Sequence, residues 1–219
     1  MRQQVLQQLS TDALIEAAVK RNEGELADNG ALVVRTGKYT GRSPQDRYIV
    51  QDETTGKEVA WGTINRPMAP GTFEKLLRQA EQYLQGRQIF VRESYACADP
   101  THRFPIRVKT EFAWHNLFAQ QLFLRYRPDE TIPQTPAMTI LSAPNALDNS
   151  NYIIINFSKR IILIAGTQYA GEIKKSIFST LNFLLPGEGV LTMHCSANVG
   201  EKKDVALFFG LSGTGKTSL

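Results

Sequence analysis

Residues 204–219 read DVALFFGLSGTGKTSL, and this stretch decides how the rest of the chain is read. Gly210, Leu211, Ser212, Gly213, Thr214, Gly215, Lys216 and Thr217 fit the pattern G-x-x-x-x-G-K-[ST]. The apolar run before them reads as a buried strand entering the loop. Strand, glycine-rich loop and helix start together give the pattern its physical meaning. Glycines let the backbone bend until successive N–H groups converge on phosphate oxygens, helped by the positive end of the following helix. Lys216 is then placed to neutralise β and γ phosphates, and the Thr217 hydroxyl to hold a divalent metal. An ordinary Gly-rich turn is the plainer alternative, but a full match behind a strand-like run favours the phosphate loop. Only Ser218 and Leu219 follow, so the expectation is a nucleotide site cut through its middle.

Working outward, 219 residues with 42% hydrophobic and 21% charged side chains suffice for one large domain or two small ones. No apolar run approaches the ~20 residues of a membrane helix, and the amino end, MRQQVLQQLSTD, lacks the apolar block of a signal peptide. The expectation is a soluble, cytoplasmic protein with no membrane partner. Cys97 and Cys195 are too few for a disulfide framework or a cysteine-ligated zinc site and read as small buried thiols. A net charge of +4 is compatible with nucleic acid, yet the basic residues are scattered without a Lys/Arg run. A surplus around an anionic small-molecule site is the simpler reading, and no nucleic-acid partner is expected.

Along the chain, a first helix is predicted from about Thr11 to Asn22, capped by Ser10 and ended by Gly24, with Leu14, Ile15, Ala18 and Val19 on the face that packs as a lid on a sheet. ALVVRTG and DRYIVQD read as strands flanking TGKYTGRSPQ, a polar loop suited to face a ligand. A second helix spans about Thr72 to Gln85. IFVRESYA and FPIRVKT alternate as half-buried strands do, and a third helix begins after Thr110, with Phe112, Trp114, Leu117, Phe118 and Leu122 too apolar for a free surface. AMTILSAP, NYIIINFS and RIILIAGT read as short strands, GEIKKSIFSTLNFLLPGEG as a helix ending before Pro186-Gly187, and GVLTMHCSAN and DVALFFG as further strands. Without a regular βαβ rhythm, the fold class is α+β: a mixed-sheet amino-terminal domain running into the first strands of a P-loop nucleotide-binding domain. The corresponding domains are 1–190, on the substrate side, and 191–219.

Three further clusters can carry chemistry. Arg42 in YTGRSP sits on a loop stiffened by Ser43-Pro44; it is either a solvated loop arginine or a guanidinium held for bidentate capture of a carboxylate. In GTQYAGEIKKSIF, with Tyr169, Lys174 and Lys175, a helix start near Gly171 places both lysines in the first turns, where the dipole disfavours cations. They are a solvated pair or part of an anion or metal site, and a lysine ligates metal only when neutral. His194 in MHCSAN stands in an otherwise apolar strand, either as a satisfied core residue or as an imidazole donor to a metal. Together the clusters ask for a carboxylate substrate, a divalent metal with nitrogen ligands completed by oxygens, and a nucleotide.

YTGRSPQDRYIV, AWHNLFAQQLFLR, GTQYAGEIKKSIF and MHCSANVGEKKDVALFFGLSGTGKTSL, taken in this order over nearly the whole chain, resemble the ATP-dependent phosphoenolpyruvate carboxykinases. The resemblance implies conversion of oxaloacetate and ATP to phosphoenolpyruvate, carbon dioxide and ADP, the committed step into gluconeogenesis, with Mg²⁺ on the nucleotide and Mn²⁺ at a second site. It also implies roles for named residues. Arg42 would grip the substrate carboxylate with Tyr169 beside it, Lys175 and His194 would ligate Mn²⁺, and Lys174 would neighbour them. Gly210 to Thr217 would form the nucleotide loop, Lys216 supporting the transferred phosphate and Thr217 meeting Mg²⁺. Family members continue well beyond this point, into the aspartate that completes the metal site, a second substrate arginine and the adenine pocket. The expectations are therefore negligible turnover by these 219 residues alone, and a monomer. Two other readings stay open: a different P-loop kinase of a carboxylate or protein substrate, which gives Lys175 and His194 no role, and a non-catalytic fragment that binds anions weakly.

Overall fold

Ile153, Ile154 and Ile155 are fully buried, and so are Ile162, Leu163 and Ile164. Two consecutive strands with no exposed face can only lie inside a sheet covered on both sides. The computed structural model describes residues 4–147, 150–210 and 215, and divides into two compact units, 1–177 and 178–219.

In chain order the first unit holds β1 (Gln4–Gln7), α1 (Thr11–Lys20), β2 (Gly24–Leu26), β3 (Leu32–Val34), β4 (Arg47–Val50), β5 (Arg66–Met68), α2 (Pro70–Leu84), β6 (Gln88–Ala96), β7 (Phe104–Thr110), α3 (Ala113–Leu122), β8 (Met138–Ser142), β9 (Tyr152–Asn156), β10 (Ile161–Ala165) and the start of α4 (Gly171–Leu184). Eight of these strands form one sheet in the order β1-β6-β7-β8-β10-β9-β4-β5. Only the β6/β7 and β9/β10 pairs are antiparallel; the other neighbours run parallel. The α+β class therefore holds, in the form of a mixed and mostly parallel sheet. β2 and β3 make a separate antiparallel hairpin.

Register explains the layers. Leu141, Leu163 and Ile154 are cross-strand neighbours on β8, β10 and β9, and pack with Phe73, Leu77, Ala80 and Leu84 of α2 in one cluster. Val91 of β6 belongs to that same face, whereas its neighbour Arg92 reaches Asn116 of α3 on the other. Helices thus cover both faces. α2 begins at Pro70, two residues earlier than the sequence suggests, because the first helical position needs no N–H and its φ suits proline.

α1 starts where expected, with the Ser10 hydroxyl accepting from the Ala13 N–H at 3.3 Å. It stops at Lys20 rather than Asn22, since Asn22 takes φ +57° and leaves the helix. It packs against α3 and β2. In α3 the buried set includes Trp114 and Leu117, as the pattern predicts, but also His115, Asn116 and Gln120, while Leu122 is exposed. Cys97 and Cys195 are half-buried rather than buried; Cys97 lies in the β6/β7 connection at φ +64°.

The second unit contains the end of α4, a 3-10 turn (Leu185–Glu188), and an antiparallel ribbon of β11 (Cys195–Val199) and β12 (Val205–Phe209). Every residue of β12 is exposed, so the burial expected from its apolar run is not found. A two-stranded ribbon has no second layer of its own to cover its faces, and none is present among the described residues of this unit. His194 stands one residue before β11 rather than in a strand, and it is exposed.

Candidate functional site

The chain leaves β10 through Gly166, at φ +81°, where any Cβ would collide with the Ser150 carbonyl, so only glycine fits this turn. The Thr167 hydroxyl then accepts from the Tyr169 N–H at 3.0 Å, and α4 begins at Gly171 as its sequence predicts. A Cβ at Gly171 would run into the Tyr169 ring, which places that ring directly over the start of the helix.

Beneath this turn lies a residue the sequence reading did not single out. His115 of α3 is fully buried, with Nε2 at 2.9 Å from the Gln168 carbonyl and Nδ1 at 3.1 Å from the Ser142 hydroxyl. A carbonyl only accepts, so Nε2 carries the proton and Nδ1 accepts from Ser142. Burial lowers the imidazole to about 4, against a smaller opposing effect of the Gln168 hydrogen bond, and keeps it neutral.

The Arg42 loop reaches the same helix start. A 3-10 turn, Pro44–Asp46, carries it into β4, and the Asp46 carboxylate accepts from Asn151 Nδ2 at 2.9 Å. The Ser43 N–H donates to Glu172 Oε1 at 2.8 Å, and Arg42 Nε lies 3.8 Å from Glu172 Oε2. Glu172 sits in the first turn of α4, where the helix dipole favours an anion, and its side chain is 3% exposed. Arg47 belongs to the same electrostatic group: burial lowers its pKa, Arg42 lowers it further, and Glu172 opposes both.

Four sequence candidates are thereby gathered at the start of α4: Tyr169 over Gly171, Arg42 beside Glu172, and the half-buried Lys174 and Lys175 on the helix itself. A cleft of about 820 Å³, lined among others by Glu23, Arg35, Phe112, Trp114 and Gln168, includes none of these four. In the second unit, His194 has its ring edge-on to Phe178, with centroids 5.5 Å apart. Gly210 follows directly on β12, and Gly215 takes φ +85°. Leu211, Ser212, Gly213, Thr214, Lys216 and Thr217 lie outside the described residues. Among the described residues no cluster of three His, Cys, Asp or Glu is gathered as a metal cage.

Glu172 had one signal in the sequence, an acid in a predicted first turn beside two lysines. His115 had none beyond its place in an apolar helix.

A family model described as phosphoenolpyruvate carboxykinase matches residues 3–219. Among curated proteins, one named phosphoenolpyruvate carboxykinase (ATP) from Geobacillus thermodenitrificans is 54% identical over 97% of this chain. Proteins of the same name from Geobacillus kaustophilus and Bacillus velezensis are 52% and 53% identical, over 97% and 96% of it. In each case the chain spans 42% of the relative's length.

Proposed function

This chain belongs to the ATP-dependent phosphoenolpyruvate carboxykinase family, and on that premise we propose that the whole protein converts oxaloacetate and ATP to phosphoenolpyruvate, carbon dioxide and ADP. The observation that carries the reading is the placing of Arg42, Tyr169, Lys174 and Lys175 around one helix start.

In this reading the Arg42 guanidinium grips a substrate carboxylate, a task suited to its planar fork, and Tyr169 lines the same side. Decarboxylation breaks a C–C bond and leaves its electron pair as an enolate, which attacks the γ-phosphorus as the bond to ADP breaks. No protein base is needed for that transfer. The work is positioning and charge stabilisation. Lys174 adds positive charge near the substrate. Lys175 and the exposed imidazole of His194 would hold Mn²⁺, with oxygens completing the set; their two nitrogen donors suit the purpose once the lysine is neutral. A divalent cation bound there supplies charge against the developing enolate oxygen. Gly210 to Gly215 would wrap the phosphates by their N–H groups, Lys216 would support the transferred group, and Thr217 would meet Mg²⁺.

Residues 1–190 then form the substrate side and 191–219 the opening of the P-loop domain, in a cytoplasmic monomer acting at the entry to gluconeogenesis. No described helix is long and apolar enough to cross a membrane. The test is phosphoenolpyruvate formation from oxaloacetate by the full-length protein, with ATP and with GTP, with and without Mn²⁺. Product that requires ATP and rises with Mn²⁺ supports the reading; ATP consumption without decarboxylation would replace it with another kinase chemistry.

A further inference from the structure

Glu172 is a buried carboxylate in a cationic neighbourhood, and none of the roles above uses it. Its two oxygens are divided: Oε1 takes the Ser43 N–H at 2.8 Å, while Oε2 faces Arg42 Nε at 3.8 Å. The second distance is an ion pair, too long for a hydrogen bond. Among the described residues the Arg42 guanidinium has no hydrogen-bond partner, so its terminal nitrogens remain available to a ligand. The carboxylate is held in turn by the start of α4, the helix that carries Lys174 and Lys175.

From this geometry we infer that Glu172 is a positioning residue: it ties the Arg42 loop to the lysine-bearing helix and turns the free edge of the guanidinium outward for a substrate carboxylate. The inference rests on the carboxykinase reading for the identity of that substrate, though not for the tether. Two physical effects combine. The Ser43 hydrogen bond fixes the backbone next to Arg42, and the negative charge offsets the repulsion between Arg42 and Arg47 that otherwise drives the loop away. A carboxylate inside an anion site weakens nonspecific anion attraction. It leaves one oriented fork rather than two mutually repelling cations, which favours a planar carboxylate over a diffuse anion.

Two substitutions separate the effects. Glu172→Met keeps the buried volume and removes both acceptor and charge, whereas Glu172→Gln retains an acceptor for Ser43. Amide exchange of a peptide covering residues 39–46 is expected to accelerate about tenfold in the Met variant and to stay within about threefold of wild type in the Gln variant. With the full-length protein, KM for oxaloacetate is expected to rise about tenfold in the Met variant with kcat changed far less, and to recover most of that loss in the Gln variant. A purely structural role would move thermal stability and leave the division between KM and kcat untouched. Unchanged exchange in the Met variant, or a KM within about twofold of wild type, overturns the inference. If the wild-type protein forms no phosphoenolpyruvate at all, the carboxykinase reading fails, and the exchange measurement still decides the tether by itself.

Discussion

Acidification should weaken the first unit through His115. The ring is fully buried, gives its Nε2 proton to the Gln168 carbonyl, and is held at about 4 by burial against an ordinary value of 6.5. As pH falls, the unfolded chain protonates this histidine near 6.5 while the folded chain does not. The contribution is therefore fully present above 6.5 and is lost progressively down to about 4. At about 1.36 kcal/mol per pH unit of unmatched protonation, lowering the pH from about 7 to about 5 removes roughly 2 kcal/mol, a large part of a typical domain's stability. Urea unfolding of wild type and His115→Gln at the two pH values measures it. All other titrating groups are common to both proteins, so the difference between their pH dependences belongs to this ring. The variant should start roughly 1–3 kcal/mol less stable near neutrality, because the Ser142 and Gln168 groups lose their partner, yet fall less steeply by about 2 kcal/mol. Two pH dependences that run parallel would show that the ring protonates in place and would refute the buried neutral imidazole.

Gly171→Ala should displace the Tyr169 ring and destabilise the protein by about 1–3 kcal/mol, although alanine is the better helix former elsewhere; thermal unfolding and the near-ultraviolet circular dichroism of tyrosine check it. Arg42→Lys retains the charge but not the fork, so KM for oxaloacetate should rise about tenfold or more in the full-length protein with little change in melting temperature. Equal KM values for the two proteins would mean that the carboxylate is held elsewhere.

How far the sequence reaches depends on whether a feature is local. β7 is found over the same residues as FPIRVKT, and α4 starts at the expected glycine, because alternation, turn residues and helix starts are written within a few positions. β12 shows the opposite. Its apolar run marks a strand correctly, but burial depends on a covering layer that a strand does not encode. The Glu172 to Ser43 contact spans 129 positions, so no spacing rule reveals it. Arg42, Tyr169 and the lysine pair are recognisable as candidates one by one; that these three groups meet at one helix start is a property of the long-range fold. The sequence pattern places His194 in a strand because MHCSAN continues an apolar run, whereas pairing begins only at Cys195.

That sheet order also constrains how the protein is made. β4, which follows the Arg42 loop, lies between β5 and β9, and β9 begins only at Tyr152. During synthesis, Arg47–Val50 emerges early and can pair with β5 almost at once, yet its other edge stays open until about a hundred further residues have left the ribosome. Parallel pairing over such a separation is slow to nucleate, since the loop must close before the contacts reward it. The edge left waiting carries Tyr48, Ile49 and Val50, a short β-prone segment of the kind that captures a neighbouring nascent chain. Arg47 at its start, and Lys38 and Arg42 in the loop before it, place positive charge beside that segment, and like charge flanking a β-prone run is the kind of feature that opposes pairing between neighbouring chains.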